Sequence, residues 1–190
     1  MNILIDCGTH LGEGMKTLVK KYSMNDDQRK VLAFEPNRNT YAQARKKGFF
    51  LKNVFFTNKA VWISEKKMQF NAKTLPHSEN SDECASSLIT IEEWKPKTKK
   101  NTGTVECVHL SKFITSHFLP ADRIILKLDI EGSEFAVLDD IMTSGAIKYV
   151  DDIYVEFHKW AMKSKTRILK YILILKAKLK NPSLKFTMWY

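Results

Sequence analysis

Two groups of residues in this chain carry chemistry. The first is DCGTHLGEG, Asp6 to Gly14, where three glycines follow an acidic residue and the apolar run Ile3-Leu4-Ile5. Gly8 and Gly12 permit backbone conformations that crowd other residues, so a ligand can lie against the main chain where a helix begins. The glycines stand at 8, 12 and 14, not in the G-x-G-x-x-G spacing that favours a dinucleotide pyrophosphate. Asp6 suits a ligand with a cationic group nearby. Glu35, after a second apolar run and roughly 20 residues beyond the turn, is placed to accept hydrogen bonds from both hydroxyls of an adenosine ribose. Turn and glutamate together point to a nucleoside-like cofactor.

The second group is Asp129, Glu131 and Glu134 in LDIEGSE, with Glu156 and His158 in VEFHK. Residues two apart on a strand share a face, so Glu156 and His158 can point to one side. His158 or Asp129 could take a proton directly, histidine being the side chain tuned for this near neutral pH. Alternatively Asp129, Glu156 and His158 form an oxygen-rich set with one imidazole, which suits a divalent cation such as Mg²⁺ or Mn²⁺. Glu131 or Glu134 could instead cap the helix that follows, favoured there by its dipole.

The elements that must position these residues alternate along the chain. Asn2 to Ile5 reads as a strand, Gly12 to Tyr22 as a helix with Met15, Leu18, Val19 and Tyr22 at helical spacing, and Val31 to Phe34 as a buried strand. Asn37 can cap a helix running to about Lys47. Val54 to Thr57 follows as a strand; Ala60 to Ile63 and Met68 to Asn71 alternate as a hairpin would. Residues 73–103 are polar and mixed, a long excursion that could fold over an acceptor as a lid. Then come Val105 to Leu110, a helix near Ser111 to Phe118, and Arg123 to Leu128, which is apolar enough for a central strand buried on both faces. A helix over Ser133 to Thr143, a strand at Ile153 to Phe157, a helix from about Lys163 to Leu179 and a strand at Leu184 to Trp189 complete the chain. The expected architecture is one α/β domain over residues 1–190, an open, mostly parallel sheet with helices on both faces, plus the hairpin and the polar excursion. Ligands in such sheets sit beyond the carboxyl ends of the strands, where both residue groups lie.

Composition narrows the partners. The 190 residues carry a net charge of +10, and from His158 to Tyr190 there are nine lysines and arginines and no acidic residue. A weak membrane or polyanion contact is therefore sought in this basic C-terminal third, although a solvated basic face has the same composition. The apolar run Ile168 to Leu179 is interrupted by lysines and falls short of the ~20 residues of a transmembrane span. With no secretory signal, and with Cys7, Cys84 and Cys107 too far apart for a zinc site, the expected compartment is cytoplasmic.

DCGTHLGEG, AFEPN at 33–37, NKAV at 58–61, LKLDIEGSEFAVLDDI at 126–141 and YVEFHK at 154–159 resemble the FkbM family of S-adenosylmethionine-dependent methyltransferases. The resemblance covers nearly the whole chain and is most specific in KLDIEGSE. It implies the Rossmann-like class I methyltransferase fold and methyl transfer to hydroxyl groups, commonly on sugars or sugar-bearing molecules, so the implied partner is a sugar or glycan acceptor. It sets the methionyl part of S-adenosylmethionine against Asp6, Gly8, Thr9 and His10, the ribose at Glu35, and the adenine near Asn58 and Ala60, with Gly12 and Asp129 also among the cofactor-binding residues. His10 stands where many class I enzymes have glycine, which gives its backbone more weight than its imidazole. The family fold closes with two antiparallel strands, whereas this sequence has room for one, so its C-terminal edge is the expected contact for a second copy or a neighbouring domain.

Two rival readings remain. Lys127, Asp129, Glu156 and the basic C-terminal third would suit an RNA ribose 2′-O-methyltransferase, although Lys127 lies inside a strand. A cofactor-binding module without catalysis would need no carboxylates at two successive strand ends.

Overall fold

The computed structural model describes residues 1–24, 29–47, 52–73, 85–88, 100–158 and 166–190. Six strands form one sheet: β1 (Asn2–Cys7), β2 (Arg29–Phe34), β3 (Val54–Thr57), β8 (Arg123–Leu128), β9 (Val150–Val155) and β10 (Lys185–Met188). Their order is β10-β9-β8-β1-β2-β3, and each adjacent pair is parallel. Strand order therefore reverses between β1 and β8, and the carboxyl ends of all six strands share one edge.

The apolar runs of β1 and β8 are explained by burial on both faces. Ile3, Ile5 and Cys7 share one core with Ile124, Leu126 and Leu128, to which the helices α4 (Glu134–Thr143) and α5 (Thr166–Lys180) contribute Val137, Leu138, Leu173 and Ala177. Leu4 and Ile125 pack on the other face with Met15 and Leu18 of helix α1 (Glu13–Lys21). Asn37 caps helix α2 (Arg38–Lys46) as expected, its side-chain oxygen accepting from the amides of Asn39 and Thr40.

The expected hairpin is replaced by a different pairing. Strands β4 (Ala60–Trp62), β5 (Lys67–Lys73), β6 (Ala85–Ser87) and β7 (Lys100–His109) form a second sheet in the order β4-β7-β5-β6, so β7 lies between the two segments that were expected to pair. It runs antiparallel to β5 from Lys67 opposite Glu106 to Lys73 opposite Lys100, and parallel to β4. Alternation fixes which face of a segment is buried but not its neighbour. Ala60, Phe70, Val105 and Cys107 bury one another in a separate small core, which this order allows.

Part of the polar excursion is accordingly sheet, at 85–87 and from residue 100 onward. Residues 74–84 and 89–99, most of the lid expected over the acceptor, lie outside the described residues. Helix α3 (Leu110–His117) leads into β8. At the C-terminal edge β10 pairs parallel with β9, because the α5 crossover returns the chain to the end from which β9 started. Among the described residues no helix is long and apolar enough to cross a membrane.

Candidate active site

A cavity of about 500 Å³ opens at the carboxyl edge beside the β1/β8 reversal, a size typical of small-molecule and cofactor sites. One wall is the turn after β1. Gly8 has φ +79°, and a β-carbon built on it would collide with the backbone oxygen of Asp129, so only glycine lets the turn lie against the end of β8. The amides of Gly8 and Thr9 both donate to the Phe34 carbonyl, at 3.0 Å each, which ties the turn to the end of β2. Gly14, in the first turn of α1, leaves room for Lys127, whose Cε would be 2.9 Å from an added β-carbon.

Glu35 is held in this wall by its backbone neighbours. The His10 amide donates to Oε2 and the Asn37 amide to Oε1, both at 2.8 Å. Each oxygen keeps acceptor capacity for a further donor. Burial pushes the Glu35 carboxyl up to about 7, although both amide bonds and Lys127 oppose the shift. Asn58 does not line the cavity; its side-chain amide donates to the carbonyls of Glu35 and Pro36 at 2.8 and 3.0 Å and so fixes the loop that carries the glutamate. Ala60, Thr9 and His10 do line it, the last with φ +51°.

The opposite wall comes from the ends of β8 and β9. Asp129, Glu156 and His158 present ligand atoms all within 4.8 Å of one another. The His158 ring is gripped on both sides: Nδ1 lies 2.9 Å from Glu134 Oε1, and Nε2 lies 3.3 Å from Glu131 and 3.9 Å from Asp129. Burial works against the imidazolium, but Glu131 and Glu134 outweigh it and push its pKa up to about 10. In this arrangement His158 is a proton holder at neutral pH. Burial and the neighbouring Asp129 charge raise the Glu156 carboxyl, with His158 and Lys127 opposing.

Glu134 lies in the first turn of α4, but its carboxylate bonds the loop before the helix instead of capping the helix amides as expected. It is fully buried, accepts from the amides of Ile130 and Gly132, and holds His158 as well. Those amide bonds pin a loop in which Glu131 has φ +50°, a left-handed conformation that costs a non-glycine residue roughly 1–2 kcal/mol. The loop in turn brings the Glu131 carboxylate to the imidazole.

Lys127 joins the two walls. It stands opposite Asp6 in the β1/β8 register, is 2 % exposed, and places Nζ 3.2 Å from Asp6 Oδ1, 3.0 Å from Asp129 Oδ2 and 3.2 Å from the Gly8 carbonyl. Burial would lower its pKa, but the two aspartates raise it above the ordinary lysine value. Asp6 is itself fully buried and, like Gly12, does not line the cavity; its charge pairs with Lys127 and adds to the upward push on Glu35. The sequence sign of this role was a single lysine inside an otherwise apolar central strand, which requires a buried partner.

The cavity fits a polar ligand. His10 Nε2 and Ser133 Oγ are buried, belong to lining residues on opposite walls, and have no hydrogen-bond partner among the described residues. Buried polar atoms without partners are uncommon unless a ligand or water completes them.

Residues 6–179 match the family model for the methyltransferase FkbM domain. The crystal structure of methyltransferase FkbM from Methylobacillus flagellatus KT is similar in fold, with a TM-score of 0.50 and 12 % identity. The match covers 92 % of this chain and 38 % of that one, so this chain corresponds to well under half of that protein. No curated protein matches the sequence.

Proposed function

Since the chain belongs to the FkbM methyltransferase family, we propose that it transfers a methyl group from S-adenosylmethionine to a hydroxyl of a sugar, glycan or related small molecule. The observation that carries this reading is the convergence of Asp129, Glu156 and His158 within 4.8 Å, across one cavity from Glu35 and the glycine turn. Glu35 and the Gly8–His10 backbone would hold the ribose and methionyl parts of the cofactor, with Ala60 beside the adenine. S-adenosylmethionine supplies a methyl group on a sulfonium, a good leaving group.

In the transfer the acceptor oxygen forms a bond to the methyl carbon as the carbon–sulfur bond breaks, and the hydroxyl proton must leave. Alignment of such a displacement can contribute about 7–11 kcal/mol, and a positioned base adds roughly 10²- to 10⁴-fold. His158 is occupied as a proton holder, so the proton falls to Glu156 or Asp129. Burial and the neighbouring Asp129 charge raise the Glu156 carboxyl, which suits it to accept the proton. Asp129, Glu156 and His158 would also suit a divalent cation, provided His158 gives up a ring proton, so holding the proton and holding the cation are alternatives; a bound cation would supply positive charge that lowers the hydroxyl's pKa. Lys127, the residue that favoured an RNA ribose acceptor, is enclosed between Asp6 and Asp129 with its side chain 3 % exposed, which leaves it poorly placed to meet a ribose.

Labelled S-adenosylmethionine, offered with glycans, small sugars and capped RNA with and without EDTA, tests this reading. Asp129→Ala should abolish turnover and Glu156→Gln should lower it about a hundredfold or more. Loss of activity in EDTA, restored by Mg²⁺ or Mn²⁺, assigns the cation; full activity of Asp129→Ala removes the catalytic assignment. Calorimetric titration showing heat with NAD and none with S-adenosylmethionine would sink the methyltransferase reading.

A further inference from the structure

Helix α5 has two apolar faces, and the fold uses one. Leu173 and Ala177 are buried in the core shared with α4. Ile168, Tyr171, Ile172, Leu175 and Leu179, spaced by three and four residues, form a second stripe on the solvent side, each between 41 and 72 % exposed. At 100° per residue, Lys176 and Lys180 flank this stripe on one side and Lys178 on the other, and all three are exposed. A helix of a water-facing domain normally carries polar residues opposite its core stripe. This one carries an apolar ridge between lysines.

We infer that α5 is a docking surface for an anionic lipid bilayer, lying in the interface with this stripe among the acyl chains. Charge complementarity selects the occupant. The segment from His158 to Tyr190 has nine basic residues and no acidic one, and lysines on the flanks of an apolar stripe can rest their stems on it while their ammonium groups reach lipid phosphates. A second copy of the chain docked on this face would set lysines against lysines. A polyanion such as RNA would use the lysines and leave the apolar ridge in water.

Because β9 and β10 run parallel with α5 between them, the helix begins at the carboxyl edge of the sheet, where the cavity opens. The first turns of the docked helix would therefore lie toward the edge of the sheet where the cavity opens. The surface and its charge do not depend on the methyl-transfer reading.

The test uses the whole chain and sedimentation with vesicles of phosphatidylcholine, alone or with phosphatidylglycerol. Binding should be roughly a hundredfold tighter to the anionic vesicles at low salt, as three surface lysines predict, and should weaken as salt rises. Leu175→Glu/Leu179→Glu changes only exposed positions, so its thermal melt should match the parent protein while vesicle binding is lost. Lys176→Glu/Lys178→Glu/Lys180→Glu should lose the preference for phosphatidylglycerol. Three results would overturn the inference: no binding to either vesicle, binding unchanged in Leu175→Glu/Leu179→Glu, or a dimer in light scattering that this variant converts to monomer. RNA binding that depends on the lysines and ignores Leu175, without vesicle binding, would assign the face to a polyanion instead.

Discussion

Glu35 shows how much a single carboxyl can report. Its pKa of about 7, against 4.5 for the ordinary side chain, means that the folded protein keeps a proton that the unfolded chain releases. Its contribution to stability is complete below about pH 4.5 and is lost as the pH rises to 7, a difference of about 3 kcal/mol. The ionised Glu35 carboxylate is the stronger acceptor for two ligand hydroxyls, so S-adenosylmethionine affinity should follow the opposite course. It should fall below pH 7, by at most about tenfold for each pH unit, and Glu35→Gln should flatten that slope; calorimetric titration from pH 5.5 to 8 measures both. The position of Glu35 was legible in the sequence because a glutamate directly after an apolar strand, downstream of a glycine turn, stands at the strand end where such sheets bind ligands. Glu134 was less so. Its bond to His158 joins residues 24 apart, and nothing local distinguishes it from a helix cap.

At the scale of elements, the β1/β8 seam carries the electrostatic cost of the site. Lys127 neutralises Asp6 and Asp129, and removing it by Lys127→Met leaves two buried or half-buried carboxylates facing each other. The expected loss is about 3–5 kcal/mol. Adding Asp6→Asn should restore part of it, so that the two changes are non-additive by more than about 1 kcal/mol in urea unfolding; additive losses within ~0.5 kcal/mol would show that the pair is not coupled. The strands themselves were readable where burial on both faces leaves an unbroken apolar run: Arg123–Leu128 and Val54–Thr57 match their expected limits. What was not readable was pairing. The insertion of β7 between β4 and β5 depends on contacts among Phe70, Val105 and Cys107, which lie more than thirty residues apart in the case of Phe70 and Val105. The buried state of Lys127 follows from register with Asp6 in the same way.

At the scale of the whole molecule, a chain read as one domain should unfold in a single cooperative transition. Saturating S-adenosylmethionine at a hundred times its Kd should stabilise it by about 2.7 kcal/mol, which raises the midpoint by roughly 5–10 °C for a domain of this size. Differential scanning calorimetry checks both. Two separated transitions, with only one responding to the ligand, would divide the chain into independent units.

The parallel pairing of β1 with β8 has one more consequence. It joins residues 2–7 to residues 123–128, and with them the glycine turn and Glu35 to Asp129, Glu156 and His158. The amino-terminal half of the chain holds the features assigned to the cofactor, and the other half holds the carboxylates and imidazole assigned to the acceptor. A break anywhere between residues 61 and 126 thus leaves two fragments, each with half of the chemistry. The site is indivisible: it belongs to the folded whole and to no contiguous piece of it.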